Sequence, residues 1–497
     1  MEMLNLSNLA LGFETAFSPQ NLLFCFVGVT LGTFIGVLPG IGALAAVAML
    51  LPVSFHLEPA TALVMLAGVY YGAEYGGSIA SIILNIPGTP SASVTCLDGH
   101  PMAQQGRAGV ALFMTAIASF CGGIMGVVVI TLLSPVLANV ALSFGPAEYF
   151  SVMVLGLVAA SIVSQAGALK GILMVTVGVM LSTVGLDINT GVERFTGGII
   201  ELRDGVSLVI VAMGLFGISE VVISIHGNLI KREEYKINFA SFFPKRSEWF
   251  RSIGPVLRGG AIGSFFGALP GTGQTVASYV GYAIEKRISK NGGQFGKGAI
   301  EGVMAPESAN NAAAQTAFIP TLTLGIPGST TMALMLGALM IHGIIPGPKL
   351  MTEHADLFWG LIVSFLIGNV LLLILNIPLI GIWVRLLRVP YYFMYPTIVV
   401  LICVGVYSIN NSLFDIWVTL AFGVMGYLMR IFHFEPAPLL IGFVLGSMIE
   451  EFMRRSLLLS RGDYMVFFER PISAGLLAIA ILILAWAMRS AFKAQDD

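Results

Sequence analysis

The sequence predicts an all-α polytopic membrane protein with about 11–13 membrane elements, a number set by the length of chain that crosses a bilayer. Hydrophobic residues make up 56% of the 497 residues and charged residues only 10%, against roughly 25% charged residues in soluble domains. The mean hydropathy is +0.89. Because a soluble fold cannot bury this much apolar surface, lipid is the expected solvent, and apolar runs of about 20 residues recur along the chain.

Two short motifs occur twice, in the same order. Residues 32–42 read GTFIGVLPGIG and residues 263–273 read GSFFGALPGTG, an offset of 231. Residues 85–91 read NIPGTPS and residues 325–331 read GIPGSTT, an offset of 240. This order predicts two structural repeats, with an insertion in the second copy for which Lys290–Lys297 is one place.

The predicted organisation has three parts. Residues 1–225 form a first membrane repeat, residues 226–258 a basic linker, and residues 259–497 a second repeat with further C-terminal helices. The linker contains Lys231, Arg232, Lys236, Lys245, Arg246, Arg251 and Arg258. Because basic loops stay in the cytoplasm, we expect this linker on the cytoplasmic side.

The charges that flank the two LPGxG motifs differ. The second motif lies between Arg258 and the basic run Lys286–Lys290, so we expect both ends in the cytoplasm and a re-entrant hairpin that folds at Pro270–Gly271. The corresponding first element ends at residues 54–58, which contain no Lys or Arg. This contrast predicts that the first hairpin opens to the opposite side and that the repeats are inverted.

The motifs also predict broken helices with a binding role. Pro lacks an N–H group and Gly exposes its backbone, so LPGxG and IPG interrupt a helix. Unpaired N–H groups at the start of the second helical piece bind anions such as carboxylates, and unpaired carbonyls can coordinate Na⁺. The alternative is that the motifs are structural kinks or tight interhelical loops. The candidate substrate- or ion-binding residues are Gly36, Pro39, Gly40, Gly42, Asn85, Pro87, Gly88, Thr89, Ser91, Gly267, Pro270, Gly271, Thr272, Gly273, Gln274, Asn310, Asn311, Pro327, Gly328, Ser329, Thr330 and Thr331.

Two acids lie between the motifs. Glu74 ends GAE at 72–74 and Glu307 ends APE at 305–307, and we interpret them as matched positions of the repeats. A charge at the bilayer centre costs roughly 2.5–3.5 kcal/mol on insertion scales, so each is a candidate coupling acid or Na⁺ ligand. The alternative is that each caps a helix N-terminus. Asp98 and Lys170 are interpreted as lone charges near the membrane interface.

No other cofactor or metal is predicted. The four cysteines form no CxxC pair and the six histidines no HExxH motif, so a coupling cation, Na⁺ or H⁺, is the one small ion expected. A net charge of −2 gives no support for a nucleic-acid partner.

The blocks ALGFETAFSPQNLLFCFVGVTLGTFIGVLPGIG, YYGAEYGGS…NIPGTPSA and APESANNAAAQTAFIPTLTLGIPGS resemble the large permease subunit (TctA-like) of the bacterial tripartite tricarboxylate transporters. The resemblance is close over about the first 350 residues. It implies cation-coupled import of a di- or tricarboxylate such as citrate across the inner membrane. It also implies a small membrane subunit and a periplasmic solute-binding protein as partners. Because Tyr75-Gly76-Gly77 stands where the second copy has Asn310-Asn311, the two half-sites are not chemically equal.

Two other classes of function remain open from the residues alone. A membrane-embedded enzyme needs a nucleophile with a base, a paired-acid motif or a metal motif, and neither GxSxG nor HExxH occurs. A channel usually assembles its filter from several repeated subunits, whereas a twofold repeat suits alternating access.

Overall fold

The structure is a computed structural model that describes residues 6–38, 41–162, 167–187, 189–225, 242–387 and 391–496. Two predicted site residues, Pro39 and Gly40, lie outside the described residues, as do linker residues 226–241 with Lys231, Arg232 and Lys236. We call residues 6–225 the first half of the protein and residues 242–496 the second half.

The first half is built almost wholly of helices. They are α1 (Leu6–Ala16), α2 (Pro19–Val37), α3 (Gly42–Ser54), α4 (Pro59–Leu84), α5 (Ser93–Met102), α6 (Ala108–Ala141), α7 (Pro146–Ile162), α8 (Ala168–Ser182), α9 (Leu208–Ala212) and α10 (Ser219–Ile225). A short antiparallel pair of strands, β1 (Gly185–Leu186) and β2 (Glu193–Arg194), follows α8. The π-helical segments Ala103–Arg107 and Met213–Ile218 connect neighbouring helices.

The second half is helical in every regular element that the structure describes. Its helices are α11 (Arg246–Gly267), α12 (Gly273–Ile288), α13 (Glu301–Thr316), α14 (Phe318–Leu324), α15 (Thr330–Ile341), α16 (Leu350–Glu353), α17 (Ala355–Asn376), α18 (Ile380–Leu386), α19 (Tyr391–Asn410), α20 (Leu413–Ile431), α21 (Pro436–Leu459), α22 (Val466–Glu469) and α23 (Pro471–Asp496). Since α11 begins at Arg246, the linker boundary predicted at residue 258 falls inside a helix.

Helices long and apolar enough to cross a membrane confirm the all-α polytopic class. Among the described residues, six qualify: Pro19–Val37, Pro90–Ala141, Ala355–Asn376, Leu413–Ile431, Pro436–Leu459 and Pro471–Arg489. Shorter apolar helices include Gly42–Ser54, Pro146–Ile162 and Thr330–Ile341. The estimate of about 11–13 membrane elements stays a prediction, because broken helices do not map singly onto spans.

Each repeated motif interrupts a helix. α2 ends at Val37 and α3 begins at Gly42, while α11 ends at Gly267 and α12 begins at Gly273. Gly42 and Gly273 have φ values of 71° and 65°, in the left-handed region that glycine adopts without steric cost. At the IPG motifs, α4 stops at the left-handed Asn85, with φ 57°.

The same glycine contact repeats in both halves. Three glycines of α2 lie against α4 so closely that a Cβ would overlap a carbonyl oxygen, in the pairs Gly28–Met65, Gly32–Val69 and Gly36–Ala73. In the second half, α11 lies on α13 in the pairs Gly259–Ala305, Gly263–Ala309 and Gly267–Ala313. The glycines of α11 follow those of α2 by 231 residues, and their partners on α13 follow those on α4 by 240, the same offsets as in the two motifs. Residue numbers rise together in both sets, so α2 runs parallel to α4 and α11 runs parallel to α13.

The arms around the second LPGxG motif form a hairpin. The Arg258 guanidinium on α11 donates to Glu285 on α12 at 2.7 and 2.8 Å, which brings the two arms side by side. Between α12 and α13 lies a twelve-residue loop, residues 289–300, whereas α3 and α4 are separated only by residues 55–58. The longer loop, which contains the polar segment Lys290–Lys297, lies where the larger second offset predicts an insertion.

Candidate functional site

Glu74 lies in the middle of α4 and accepts hydrogen bonds from both halves. From the first half, Ser91 Oγ donates at 2.5 Å and Thr89 Oγ1 at 3.0 Å. From the second half, Asn310 Nδ2 donates at 3.0 Å and Gln274 Nε2 at 3.5 Å. The side chain is only 3% exposed. The first IPG turn and the helix that follows the second LPGxG motif therefore converge on one carboxylate.

Glu307 lies on α13 and takes its hydrogen bonds from the first half. Ser78 Oγ of α4 donates at 2.7 Å and Ser119 Oγ of α6 at 3.2 Å, and Thr95 Oγ1 of α5 also donates to the carboxylate. Glu307 is 1% exposed. Together with Glu74 and the donors of both acids, it forms what we call the paired-acid centre.

The paired-acid centre lies where α4 and α13 cross. Glu74 contacts Asn310, whereas Ser78, one turn later on α4, contacts Glu307, nearly one turn earlier on α13. Along these contacts the residue numbers rise on α4 and fall on α13, so the two helices run in opposite directions. α5 continues this pattern, because Thr95 contacts Glu307 and Asp98 reaches residues 296–299.

Two interpretations of the acids from the sequence are wrong. Neither acid caps a helix N-terminus, since Glu74 is deep inside Pro59–Leu84 and Glu307 is the seventh residue of Glu301–Thr316. They are also not matched positions, because the 240 offset of the α4–α13 contacts pairs Glu74 with Ala314 and Glu307 with Ala67. The short GAE and APE strings resemble each other, but they are 233 residues apart, seven fewer than the offset between the glycine contacts of α4 and α13.

The first-half residues that correspond to Asn310 and Asn311 are aromatic. Tyr70 packs edge-to-face on Phe318 with ring centroids 6.2 Å apart, and Tyr71 packs on Phe365 at 5.9 Å. By the 240 offset, Tyr70 and Tyr71 correspond to Asn310 and Asn311. The sequence alignment of Tyr75-Gly76-Gly77 with Asn310-Asn311 is wrong in this register, because the 240 offset places Tyr75-Gly76-Gly77 against residues 315–317. The two halves still differ in chemistry at this position, with two tyrosines in the first and two asparagines in the second.

The helix interruptions pack against one another around the centre. The Gly271 N–H donates to the Gly328 carbonyl at 3.2 Å, so the second LPGxG and second IPG turns touch. A Cβ on Gly42 would lie 3.9 Å from the Gly88 oxygen, which places the first two turns together as well. Across the halves, α3 packs against α15, and α12 packs against the turn Pro90–Ala92. All four turns thus surround one region.

Some predicted site residues make hydrogen bonds within their own segment and none to the two acids. Thr272 Oγ1 donates to the Phe266 carbonyl, and Asn311 Nδ2 donates to the Glu307 carbonyl at 3.0 Å. Ser329 Oγ accepts from the Met332 N–H as the cap of α15. These groups have local structural partners, whereas Thr89, Ser91, Gln274 and Asn310 reach the acids.

Sequence reasoning missed several polar residues of the centre. Ser78, Thr95 and Ser119 stand outside both motifs, in apolar helices where a lone hydroxyl usually bonds its own backbone. Outside the centre, Asn369 on α17 accepts a hydrogen bond from the Tyr75 hydroxyl at 3.3 Å, another buried polar contact that no motif predicts. A helical-face plot would place Ser78 one turn from Glu74, but only the tertiary packing brings Ser119 to Glu307.

The helices define a multi-pass membrane protein with a buried polar centre between its two halves. The chain belongs to the tripartite tricarboxylate transporter TctA family, whose profile matches residues 22–441. Membership makes it a transport component of a system with further subunits and a carboxylate substrate.

Two relatives come from Agrobacterium vitis. The chain is 48% identical over 492 residues to an uncharacterized 52.8 kDa protein in the TAR-I ttuC' 3' region, covering 99% of this chain and 98% of the relative. It is 51% identical over 235 residues to an uncharacterized protein in the TAR-II ttuC' 3' region, covering 47% of this chain and 97% of the relative. No solved structure matches the chain.

Proposed function

We propose that this chain is the permease of a cation-coupled secondary transporter that imports a di- or tricarboxylate, such as citrate, across the bacterial inner membrane. The observation that carries the proposal is the paired-acid centre. Its two buried carboxylates accept hydrogen bonds from neutral hydroxyl and amide groups contributed by both halves. A small membrane subunit and a periplasmic binding protein that delivers the substrate complete the proposed system.

The electrostatics of the centre support cation coupling. A buried carboxylate is unfavourable unless a proton or a cation neutralises it, and the neutral donors described above supply no positive charge. Asn310 adds a buried side-chain oxygen without a hydrogen-bond partner, next to Glu74. Carboxylate, amide and hydroxyl oxygens are the ligands that hard cations such as Na⁺ prefer. Glu74 and Glu307 are therefore the proposed coupling acids.

The broken helices support recognition of a carboxylate substrate. α12 and α15 begin at interruptions close to the paired-acid centre, and unpaired N–H groups at such helix starts attract anions. Binding there needs no Lys or Arg in the membrane interior. A cation at Glu74 or Glu307 would also screen the two carboxylates from an anionic substrate, which gives a physical reason for binding the two together.

The packing supports inverted halves and alternating access. α4 and α13 cross in opposite directions, while α2 is parallel to α4 and α11 is parallel to α13 through the same glycine contacts. A rotation of one half against the other around a shared central site is the common way in which inverted repeats transport a substrate.

Tracer uptake tests the proposal. Vesicles that contain the permease with its partner subunits are given labelled di- and tricarboxylates, with a Na⁺ gradient, with a proton gradient, or with neither. We expect saturable uptake of at least one carboxylate, which collapses when the driving gradient is removed and falls when the binding protein is omitted. Uptake that is non-saturable and independent of both gradients would instead favour a channel.

A further inference from the structure

We propose that Asp98 is a latch that closes the cytoplasmic end of the transporter between the two halves, and that α5 links this latch to the paired-acid centre. This inference rests on the proposed transport function. It assigns a positioning role to a buried acid that the site itself does not use.

The contacts of Asp98 are with the second half. Its Oδ1 accepts backbone N–H groups from Gly296 at 2.9 Å, Gly298 at 2.9 Å and Ala299 at 2.7 Å, and its Oδ2 accepts the Tyr282 hydroxyl at 3.0 Å. Asp98 is 0% exposed. Far from being a lone charge at the interface, this side chain binds the loop that leads into α13, where N–H groups at a helix start favour a negative charge.

The second half is shaped to receive this carboxylate. A Cβ at Gly302, in the first turn of α13, would overlap Asp98 Oδ2, so only glycine leaves room for the side chain. Gly296 and Gly298 have φ values of 82° and 96°, a conformation that turns their N–H groups toward one acceptor at low steric cost.

Further contacts surround the latch on the same end of the protein. Gln105 Nε2 donates to the Lys297 carbonyl at 2.8 Å, and Ser93 and Tyr279 share a hydrogen bond of 3.1 Å. The Arg107 guanidinium pairs with Glu248 at 2.5 Å. Each contact joins residues 93–107 of the first half to the second half. The basic run Lys286–Lys297 identifies this end as cytoplasmic.

α5 carries both the latch and part of the paired-acid centre. Thr95 donates to Glu307, and Asp98 lies three residues later, about 4.5 Å along the same helix. In the turn that precedes α5, the Thr89 and Ser91 hydroxyls donate hydrogen bonds to Glu74. A change in the charge or occupancy of either acid therefore acts directly on the short segment that carries the latch.

The related position at the opposite end has no such group. The 240 offset pairs Asp98 with Ala338 on α15, which is buried and carries no polar side chain. A pure folding requirement of the repeat would place similar contacts in both copies. A contact present in one copy only makes the two ends of the transporter chemically different, so Asp98 would stabilise closure of one end specifically.

Reversible cross-linking tests the latch. Gln105→Cys and Lys297→Cys are combined in a chain whose four native cysteines are replaced by serine, and the pair is joined with a bifunctional methanethiosulfonate that a reductant removes. We expect the cross-link to abolish uptake and the reductant to restore it. If the joined protein still transports at the rate of the reduced protein, the cytoplasmic end does not need to open there and the latch is rejected. Uptake by the wild-type chain tests the proposed function separately. If the wild-type chain transports and the cysteine pair does not before cross-linking, the cross-linking rates below decide the latch.

The role of Asp98 is measured without transport, by the rate at which the 105–297 pair cross-links. We expect Asp98→Ala to slow this rate about tenfold, since hydrogen bonds to a charged group are lost, and Asp98→Asn to recover part of it because its amide oxygen still accepts. A loop-internal pair, Asn291→Cys with Gln294→Cys, is the matched control. An unchanged 105–297 rate would reject the latch, and an equal change in both pairs would show that Asp98 only orders the loop.

Discussion

At the residue scale, the paired-acid centre shows what a sequence pattern predicts well and what it does not. Two acids in apolar segments indicate a functional group, because such residues are expensive in a membrane. The hydrogen-bond donors to these acids come from α4, α5, α6, α12, α13 and the first IPG turn, so the full set of donors depends on tertiary packing. The matched positions predicted for Glu74 and Glu307 rested on two similar three-residue strings, whereas the glycine contacts of α2–α4 and α11–α13 give a register that differs by seven residues.

Replacing the acids tests their coupling role. In Glu74→Gln and Glu307→Gln, the neutral amide keeps the size of the side chain but removes its negative charge. We expect the apparent affinity for the coupling cation to fall by about 10- to 100-fold, the equivalent of losing hydrogen bonds or ligand contacts to a charged group. Uptake as a function of cation concentration measures this.

Glu353→Gln is the matched control, since Glu353 is an exposed acid on α16 with a surface partner in Lys349. It should leave the cation dependence unchanged. If both central variants show the same cation dependence as the control, the two acids have a structural role only.

Asp187, a carboxylic acid outside the membrane helices, gives a prediction about the pH dependence of stability. Arg454 donates to Asp187 at 2.6 and 3.2 Å beside strand β1 and lowers the pKa of that carboxyl from 3.8 to about 2. Because the folded-state pKa is depressed, the stabilisation is complete above the unfolded value and disappears as the pH falls toward about 2.

Thermal unfolding in detergent measures this effect. The melting temperature of the wild-type protein should exceed that of Asp187→Asn at neutral pH, and the difference should shrink as the pH falls from about 4 to about 2. A difference that stays constant over this interval would contradict the role of the ion pair.

At the element scale, the interruptions were predictable because they depend on local chemistry. Proline and glycine end helices wherever they occur together, so α2, α4, α11 and α14 stop close to the predicted motifs. The packing partners of the resulting helices were not predictable, since apolar surfaces in lipid carry little directional information. The start of α11 at Arg246 was missed for another reason, because a basic amphipathic helix resembles a soluble linker by composition.

The glycine contacts provide a matched test of the repeat. Gly32→Ala and Gly263→Ala place a methyl group against the carbonyls of Val69 and Ala309. We expect each to lower the free energy of unfolding by about 1–3 kcal/mol, the usual effect of overpacking. Gly475→Ala, at an open position on α23, is the control and should change stability little. Equal stabilities of all three variants would contradict the close helix contacts.

At the scale of the whole molecule, composition was enough to predict a polytopic membrane protein, and the flanking charges predicted inverted halves. The antiparallel crossing of α4 and α13 is a separate observation that agrees with this prediction. The closure of the cytoplasmic end by Asp98 could not be predicted, because it needs the loop at 296–299 and the middle of α5 to meet in three dimensions.

Side-specific labelling most directly tests the inverted arrangement on which alternating access depends. His56 precedes α4 and Lys290 follows α12, and both side chains are exposed. In a chain without native cysteines, His56→Cys and Lys290→Cys are each treated with a membrane-impermeant maleimide in right-side-out and inside-out vesicles. We expect residue 56 to be labelled only from the periplasmic side and residue 290 only from the cytoplasmic side. Labelling of both residues from the same side would contradict the inverted arrangement.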